Sequence, residues 1–227
     1  MHRAVLLVVL LASACGGAAS PAPGEEIRFE TSDGVELVGE LRGEGPRGVV
    51  LGHMYGSSRE AWGSFAEQAA EAGYLTLAFD LRGFGDSGGD RSAPAAPTDL
   101  RAAVGAIGER GAEDVVVIGA SFAGTGALVA AGEEEWAGVA TLSAPASFEG
   151  LEATSAVVEA VDEPKLFIAA DGDGSAASSA QAFYEAASGG KRVEIVVGDQ
   201  HGTELLESGR AEIVSNLLLS FLRNQLP

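Results

Sequence analysis

Residues 114–124 have the sequence DVVVIGASFAG, and this stretch decides the fold class. Its β-branched run at 115–118 is typical of a strand that is buried on both faces. Small residues then lead to Ser121, and a helix of mostly small residues is predicted at 122–131. A serine at such a strand-to-helix turn is held above the edge of the sheet, where its Oγ is exposed for chemistry.

The residues around Ser121 suit a strained turn because they are small. Gly119 and Gly124 flank it, and Ala123 stands where the usual G-x-S-x-G pattern has its second glycine. In this arrangement the N–H of Phe122 points from a helix N-terminus to the place where an oxyanion would form. The pattern alone is equally compatible with a plain helix cap, in which Ser121 would bond free backbone N–H groups.

Strands and helices alternate on both sides of this stretch. Near the N-terminus, Asp33-Gly34 separates two apolar-periodic runs and is a strong signal for a hairpin turn. Eight strands are predicted, at residues 26–31, 35–41, 48–52, 74–79, 114–118, 139–142, 165–169 and 193–197. The other predicted helices are at residues 59–72, 98–110, 176–187 and 203–221.

The spacing of these elements suits right-handed βαβ units. The sequence therefore predicts an α/β fold with one doubly wound, mostly parallel, eight-stranded sheet, antiparallel first strands and helices on both faces. In sheets of this kind the functional site lies at the carboxyl ends of the strands.

Two further strand ends carry candidate residues. His201, in the segment GDQHG, follows the last predicted strand and is placed to act as a general base near neutral pH. Asp171 and Asp173, in ADGDG, follow the strand at 165–169, and a serine–histidine pair needs such a carboxylate to fix the imidazole tautomer. Taken singly, His201 could be a solvated loop residue, and either Asp-Gly pair could be only a turn.

The three candidates occur in the order Ser, Asp, His, each directly after a predicted parallel strand, and this order resembles that of the α/β-hydrolase superfamily. Two more stretches strengthen the resemblance. LGHMYG at 51–56 resembles the family's His-Gly oxyanion loop, with Met54 where glycine is usual. DLRGFGDSGG at 80–89 resembles the D-x-R-G-x-G-x-S segment that follows the family's fourth strand. The resemblance covers nearly the whole of residues 25–227.

The resemblance implies a role for each matching residue. Ser121 matches the nucleophile and His201 the general base. Asp173 matches the triad acid better than Asp171, because it lies three residues after Ala170, the small residue that ends the strand. The backbone N–H groups of Tyr55 and Phe122 match the oxyanion hole.

The remaining histidine, His53, matches the loop histidine of the family, for which a structural role is expected. Esterase activity through an acyl-enzyme is implied, although peptidases, thioesterases and lactonases share the arrangement. No metal or cofactor is implied, and one cysteine with three histidines cannot build a cysteine-rich zinc site.

A different motif in the same chain points to a different class. Residues 83–88 spell G-x-G-x-x-G, the dinucleotide-binding fingerprint, after a predicted strand. In that fold a helix opens on the last glycine so that its N-terminus meets the pyrophosphate. Here residues 90–97 intervene, and they include Pro94 and Pro97. Hydrolase chemistry is therefore favoured over nucleotide binding.

The segment between the strands at 139–142 and 165–169 sets the expected size of a lid. Only residues 143–164 are available, enough for one helix or less, with Leu151, Val157 and Val158 to pack it against the domain. We expect a minimal lid, an open site and small or short-acyl esters as substrates.

The N-terminus carries signals for export. Arg3 precedes a short apolar run, 4–11, which is about half of the ~20 residues needed to cross a bilayer and is typical of a signal peptide. LASAC at 11–15 resembles a bacterial lipobox, which predicts a signal peptide at 1–14 and lipidation of Cys15. Residues 15–24 are small and proline-rich and are predicted to be a flexible tether. An ordinary secretory signal is the alternative.

Composition limits the partners. The chain has 227 residues and a formal charge of −19, which disfavours nucleic acid and anionic membrane surfaces. We expect a small-molecule acyl substrate, contact with the bacterial cell envelope through the lipid alone, and no nucleic acid. A lipoprotein that uses this fold only to bind a ligand is the alternative from a different class.

Overall fold

The computed structural model describes residues 24–227. The predicted signal peptide at 1–14, Cys15 and the tether as far as residue 23 lie outside the described residues. Within residues 24–227, no helix is long and apolar enough to span a membrane.

Three strands open the described chain, and from the third onward an α-helix lies between each strand of the large sheet and the next. The strands are β1 (Glu25–Glu30), β2 (Glu36–Arg42), β3 (Arg47–Gly52), β4 (Leu75–Phe79), β5 (Asp114–Ala120), β6 (Gly138–Leu142), β7 (Ser147–Phe148), β8 (Leu151–Glu152), β9 (Lys165–Ala170) and β10 (Lys191–Val196). The α-helices are α1 (Gly63–Glu71), α2 (Ala96–Gly108), α3 (Phe122–Ala131), α4 (Ser155–Glu159), α5 (Gly174–Ala186) and α6 (Ala211–Gln225).

The main sheet has eight strands in the order β1-β2-β4-β3-β5-β6-β9-β10. The β1–β2 and β2–β4 pairs are antiparallel, and the remaining pairs are parallel. The predicted eight-stranded, mostly parallel sheet with antiparallel first strands is therefore confirmed. Strand β5 lies at the centre, and its residues 116–118 are fully buried, as the apolar run at 115–118 predicts.

Helices cover both faces of the sheet, as predicted. On one face α2, α3 and α5 pack in a single core that includes Leu100, Ala127 and Phe183. On the other face α1 and α6 pack in a second core that includes Phe65 and Leu218. The two cores fix the strands from both sides, so the carboxyl ends of the parallel strands form one rigid edge.

The sequence predicts one continuous helix at 203–221, and this prediction is wrong. A 3₁₀ helix at Gly202–Leu206 comes first, and α6 begins only at Ala211. The interruption is stabilised by Ser208, whose Oγ donates to Leu205 O at 3.0 Å and accepts from Arg210 N–H at 3.0 Å. A serine that bonds the local backbone in this way competes with helix geometry.

The segment between β6 and β9 is as short as predicted, but it contains a hairpin in addition to a helix. It holds the two-stranded hairpin β7–β8 and the five-residue helix α4. Leu151 and Val158 are buried and hold the segment on the domain, while Val157 is half-buried. The minimal lid is confirmed.

Candidate active site

The nucleophile candidate Ser121 lies at a strained turn between β5 and α3. Its backbone has φ 52° and ψ −125°, a left-handed φ that costs a non-glycine residue about 1–3 kcal/mol. The turn is held by Ser121 N–H, which donates to Leu142 O on β6 at 2.8 Å. The strain presents the side chain of Ser121 above the carboxyl end of β5.

Close packing explains the small residues around the turn. A Cβ on Gly119 would lie 2.5 Å from the backbone of Ala123, and a Cβ on Gly124 would lie 2.8 Å from the carbonyl oxygen of Gly119. Real Cβ atoms do not approach backbone this closely, so both glycines are required by space. The alanine at 123, where the usual pattern has glycine, is accommodated, and its side chain is fully buried.

The structure brings Ser121, His201 and Asp173 together from three separate strand ends. His201 Nε2 lies 2.7 Å from Ser121 Oγ. His201 Nδ1 lies 2.9 Å from each of the two carboxylate oxygens of Asp173. The chain separation is 80 residues for the first pair and 28 for the second, so the contacts arise from the fold and not from local sequence.

Burial differs across the three side chains in a way that suits proton transfer. Ser121 is 6% exposed as a residue. The side chain of Asp173 is 13% exposed and that of His201 is 40% exposed. The histidine is therefore reachable from solvent, while the carboxylate behind it is largely shielded.

The two candidate aspartates have different positions. Asp173 faces His201, whereas Asp171 is exposed and accepts a hydrogen bond from Gly198 N–H at 2.9 Å. That bond ties the turn after β9 to the turn after β10. Asp171 thus supports the loop that carries His201 without contacting its ring.

The His201 loop is fixed at its other end as well. His201 N–H donates to Glu204 Oε2 at 3.1 Å, within the start of the 3₁₀ helix. Gly202 has φ 57°, and a Cβ there would lie 2.9 Å from Met54 Sδ. Met54, the departure from the family's oxyanion loop, therefore packs directly beside the histidine loop.

The two predicted oxyanion donors lie in the expected segments. Tyr55 follows β3, and Phe122 is the first residue of α3. Within residues 24–227 neither backbone N–H has a hydrogen-bond partner. The positive end of the dipole of α3 adds to the attraction for negative charge at Phe122 N–H.

His53 is buried and fully hydrogen-bonded, in agreement with a structural role. Its Nδ1–H donates to Met54 O at 2.8 Å, and its Nε2 accepts from Leu81 N–H at 3.0 Å. Burial lowers the pKa of His53, because a charged ring would be poorly solvated there. The neutral ring thereby joins the loop after β3 to the loop after β4.

The segment at 80–89 forms a tight loop after β4. Asp80 is fully buried, and its carboxylate accepts from Arg59 N–H at 2.7 Å, from Arg59 Nη1 and from Asp86 N–H at 3.0 Å. Gly85 is needed here, since it has φ 48° and a Cβ would lie 2.1 Å from the Asp80 carboxylate. The first helical turn after the glycines begins only at Ala93, so this G-x-G-x-x-G run has a loop geometry and not the helix N-terminus that binds a dinucleotide.

Arg82 anchors the same loop. It donates to Asp99 Oδ1 at 2.8 Å through Nε and to both carboxylate oxygens of Asp33 at 2.7 and 2.9 Å. These contacts raise the pKa of Arg82, with the bond to Asp33 as the largest cause, and lower the pKa of Asp33. The Asp33-Gly34 turn, identified in the sequence only as a hairpin signal, therefore also holds the loop after β4.

An aromatic cluster lies beside the nucleophile and was missed by sequence reasoning. We define it as Tyr55, Phe84, Phe122 and Phe148. Tyr55 is central, with ring centroids 5.2 Å from Phe84, 6.0 Å from Phe122 and 5.3 Å from Phe148. Tyr55 is also 39% exposed, whereas Phe84 and Phe122 are buried. The four rings come from four different loops or elements, so no local pattern points to them.

A separate cavity of about 350 Å³ lies between the β7–β8 hairpin and the second half of α5. Its lining includes Ser147, Thr154 and Phe183 but neither Ser121 nor His201. This cavity is therefore separate from the three side chains in contact.

Comparison with known proteins identifies the family and the fold. The model of a family described as the alpha/beta hydrolase family matches residues 49–212. Comparison with curated protein sequences gives no match.

Solved structures share the fold over most of the chain. An esterase from Pyrococcus furiosus has a TM-score of 0.74 and 21% identity, covering 88% of this chain and 92% of its own. A thermophilic esterase from Thermogutta terrifontis, with malate bound, has a TM-score of 0.73 and 18% identity, and the match covers 89% of this chain and 100% of the esterase. A membrane phospholipase A described as a bacterial virulence factor has a TM-score of 0.75 and 17% identity, covering 89% and 87%. At these identities the likeness shows the fold.

Proposed function

Because this chain belongs to the alpha/beta hydrolase family, and is thus an α/β-fold hydrolase, we propose that it is a serine hydrolase of small or short-acyl carboxylic esters. The observation that carries the proposal is the pair of contacts made by His201. One ring nitrogen lies 2.7 Å from Ser121 Oγ, and the other lies 2.9 Å from both oxygens of Asp173.

The reaction begins with proton transfer from the serine. Asp173 accepts Nδ1–H of His201, so Nε2 carries the lone pair and accepts the proton of Ser121 O–H. The serine oxygen then attacks the ester carbonyl carbon. The resulting oxyanion is held by the N–H groups of Tyr55 and Phe122, which have no other partner in the described part of the chain.

The second half of the reaction returns the proton. His201 gives it to the departing alcohol as the tetrahedral intermediate collapses to an acyl-enzyme. Water then loses a proton to His201 and attacks the acyl carbon, and the acid product leaves with Ser121 restored. Asp173 keeps its bond to Nδ1–H and stabilises the imidazolium in both halves.

The open site supports a short acyl group. The cover between β6 and β9 consists of a small hairpin and a five-residue helix, and the side chain of His201 remains 40% exposed. Such a cover supplies little apolar surface for a long acyl chain. Among the structurally similar proteins, two are called esterases in their descriptions and one a phospholipase A.

The test is hydrolysis of p-nitrophenyl acetate by the wild type, Ser121→Ala and His201→Ala. Removal of either side chain should lower kcat on the order of 10⁶-fold, as in other serine–histidine hydrolases. Near-wild-type turnover by either variant, with circular dichroism showing a folded protein, would remove that residue from the mechanism.

We also propose that the enzyme is an envelope lipoprotein. The motif at 11–15 supports acylation of Cys15, and the small, proline-rich segment that follows supports a tether between lipid and domain. Expression in a bacterial host with an alkyne-tagged palmitate should label the wild type and leave Cys15→Ser unlabelled. Equal labelling of both proteins would exclude this anchor.

A further inference from the structure

Arg91 differs from most arginines of the described chain, because no carboxylate contacts it. Those that pair with carboxylates are Arg28, Arg42, Arg59, Arg82, Arg101, Arg110 and Arg192. Arg91 makes one hydrogen bond, from Nε to Gly83 O at 3.1 Å. Its Nη1 and Nη2 have no partner within residues 24–227. Arg47 and Arg210 likewise donate only to backbone carbonyl oxygens, so what distinguishes Arg91 is its position beside the site.

The position of Arg91 connects it to the site. Its guanidinium carbon lies 4.6 Å from the ring centroid of Phe84 and 5.9 Å from that of Tyr55. Both rings belong to the aromatic cluster, whose member Phe122 directly follows the nucleophile. Arg91 is therefore placed beside the exposed ring of Tyr55, one of the two proposed oxyanion residues.

The side chain is also held in place. Cation–π attraction to the rings and the bond to Gly83 O fix the inner side of the guanidinium. The backbone at Arg91 is close-packed, since a Cβ on Gly83 would lie 2.5 Å from the backbone nitrogen of Arg91. Nη1 and Nη2 remain able to donate hydrogen bonds, and their spacing matches the two oxygens of a carboxylate.

We propose that Arg91 selects an ester that carries a free carboxylate on its acyl portion, with the connecting alkyl chain packed against Tyr55. This inference rests on the proposed function, because it specifies the substrate class of the same site. The overall negative charge of the protein does not oppose it. Charges beyond about 8–10 Å are largely screened at physiological salt, whereas the guanidinium acts at contact distance.

The test compares two esters that differ by one methyl group, which removes the charge. Mono-4-nitrophenyl glutarate has a free carboxylate, and methyl 4-nitrophenyl glutarate has the same chain with the charge blocked. Each is assayed with the wild type, Arg91→Gln and Arg91→Lys, after the spontaneous hydrolysis rate is subtracted. Arg223→Gln is the matched control, because it removes the same charge from the last turn of α6, near the amino end of β6.

The wild type should favour the carboxylate ester in kcat/KM. Arg91→Gln should lower kcat/KM for that ester about 10- to 100-fold, mainly through KM, and leave the neutral ester within threefold. Arg91→Lys should recover part of the loss, and Arg223→Gln should change neither ester. An equal fall in kcat/KM for both esters would mean that Arg91 only holds its loop in place, and it would overturn the proposal. An unchanged kcat/KM in Arg91→Gln, or a wild-type preference for the neutral ester, would also overturn it.

The same assay separates this inference from the proposed function. Turnover of neither ester by the wild type, or turnover that survives Ser121→Ala, would overturn the proposed function itself. Turnover of both esters that needs Ser121 but is unaffected by Arg91→Gln would leave the serine mechanism intact and overturn only the selection by Arg91.

Discussion

The two nitrogen atoms of the His201 ring face chemically different groups, and in the proposed mechanism this asymmetry sets the direction of proton transfer. The carboxylate of Asp173 can only accept, so Nδ1 carries the proton and Nε2 is left basic toward Ser121. The alternative acid, Asp171, is two residues away and is bound to a backbone N–H instead.

This difference gives a matched pair of variants. Asp173→Asn should lower kcat about 10⁴-fold, because an amide can donate to Nδ1 and favour the wrong tautomer. Asp171→Asn neutralises a carboxylate in the same turn and should keep kcat within a few-fold of the wild type. Steady-state kinetics with p-nitrophenyl acetate measure both, and the reverse ranking would assign the acid to Asp171.

His53 makes the stability of the protein depend on pH. Burial lowers its pKa below the usual value of about 6.5, so the unfolded chain binds a proton that the folded chain does not bind as the pH falls below 6.5. The stabilising contribution is therefore complete above pH 6.5 and is lost as the pH falls toward the lowered pKa.

Urea unfolding between pH 7.5 and 5.0 measures this effect. In that range one proton changes the free energy of unfolding by up to about 1.4 kcal/mol per pH unit. His53→Asn should be less stable at pH 7.5, because the bond from Leu81 N–H is disturbed, and should show a shallower loss on acidification. Parallel pH profiles for the two proteins would contradict a neutral, buried His53.

The residues of the site were predictable to different degrees. Ser121, Asp173 and His201 follow strand ends in a recognisable order, and the structure brings them into contact. The aromatic cluster was not predictable, because its contacts join segments that are far apart in the chain. Arg91 was not predictable either, because it contacts Gly83 and Phe84 within an irregular loop that follows no period.

At the level of elements, the turn between β5 and α3 holds the nucleophile by close backbone packing. Gly119 leaves no space for a Cβ, whereas Gly105 in the middle of α2 has no atom within 4 Å of the corresponding position. The same substitution at these two glycines should therefore have opposite effects.

Gly119→Ala should destabilise the protein by about 1–3 kcal/mol, the usual range for overpacking. It should also lower kcat/KM roughly 100-fold, because a shift of about 1 Å at the nucleophile has an effect of that size. Gly105→Ala should stabilise by about 0.5–1 kcal/mol and leave activity unchanged. Thermal unfolding and ester hydrolysis measure both, and similar behaviour of the two variants would contradict the packing account.

Element boundaries show where sequence periodicity is insufficient. The buried strands and the helix α3 were predicted within a few residues, because their apolar runs are short and bounded by small residues. The helix at 203–221 was predicted as continuous, but Ser208 bonds the local backbone and separates a 3₁₀ turn from α6. Hydrogen bonds of one side chain to nearby backbone do not alter the apolar pattern from which the helix was predicted.

At the level of the whole molecule, the open edge of the sheet should determine which acyl chains are accepted. The cover between β6 and β9 is minimal, and Tyr55 is the exposed ring next to the site. We therefore expect kcat/KM for p-nitrophenyl acetate to exceed that for the palmitate ester. Assays in detergent below its critical micelle concentration test this, and much faster hydrolysis of the palmitate ester would contradict it.

The fold as a whole was predictable because strand and helix alternate in the large sheet from β3 to the last helix. The right-handed crossover rule then leaves few arrangements, and the observed strand order is one of them. The sequence contained less information about the segment over the site, whose two-residue strands are too short to show a period.

The central claim, that Ser121 is an activated nucleophile, is tested most directly by a fluorophosphonate probe. Intact-mass spectrometry should show one adduct on the folded protein, and peptide mapping should place it on Ser121. Labelling should disappear in Ser121→Ala and fall sharply in His201→Ala. A well-folded wild type that gains no adduct, or an adduct on another residue, would contradict the serine mechanism and favour a binding role for the fold.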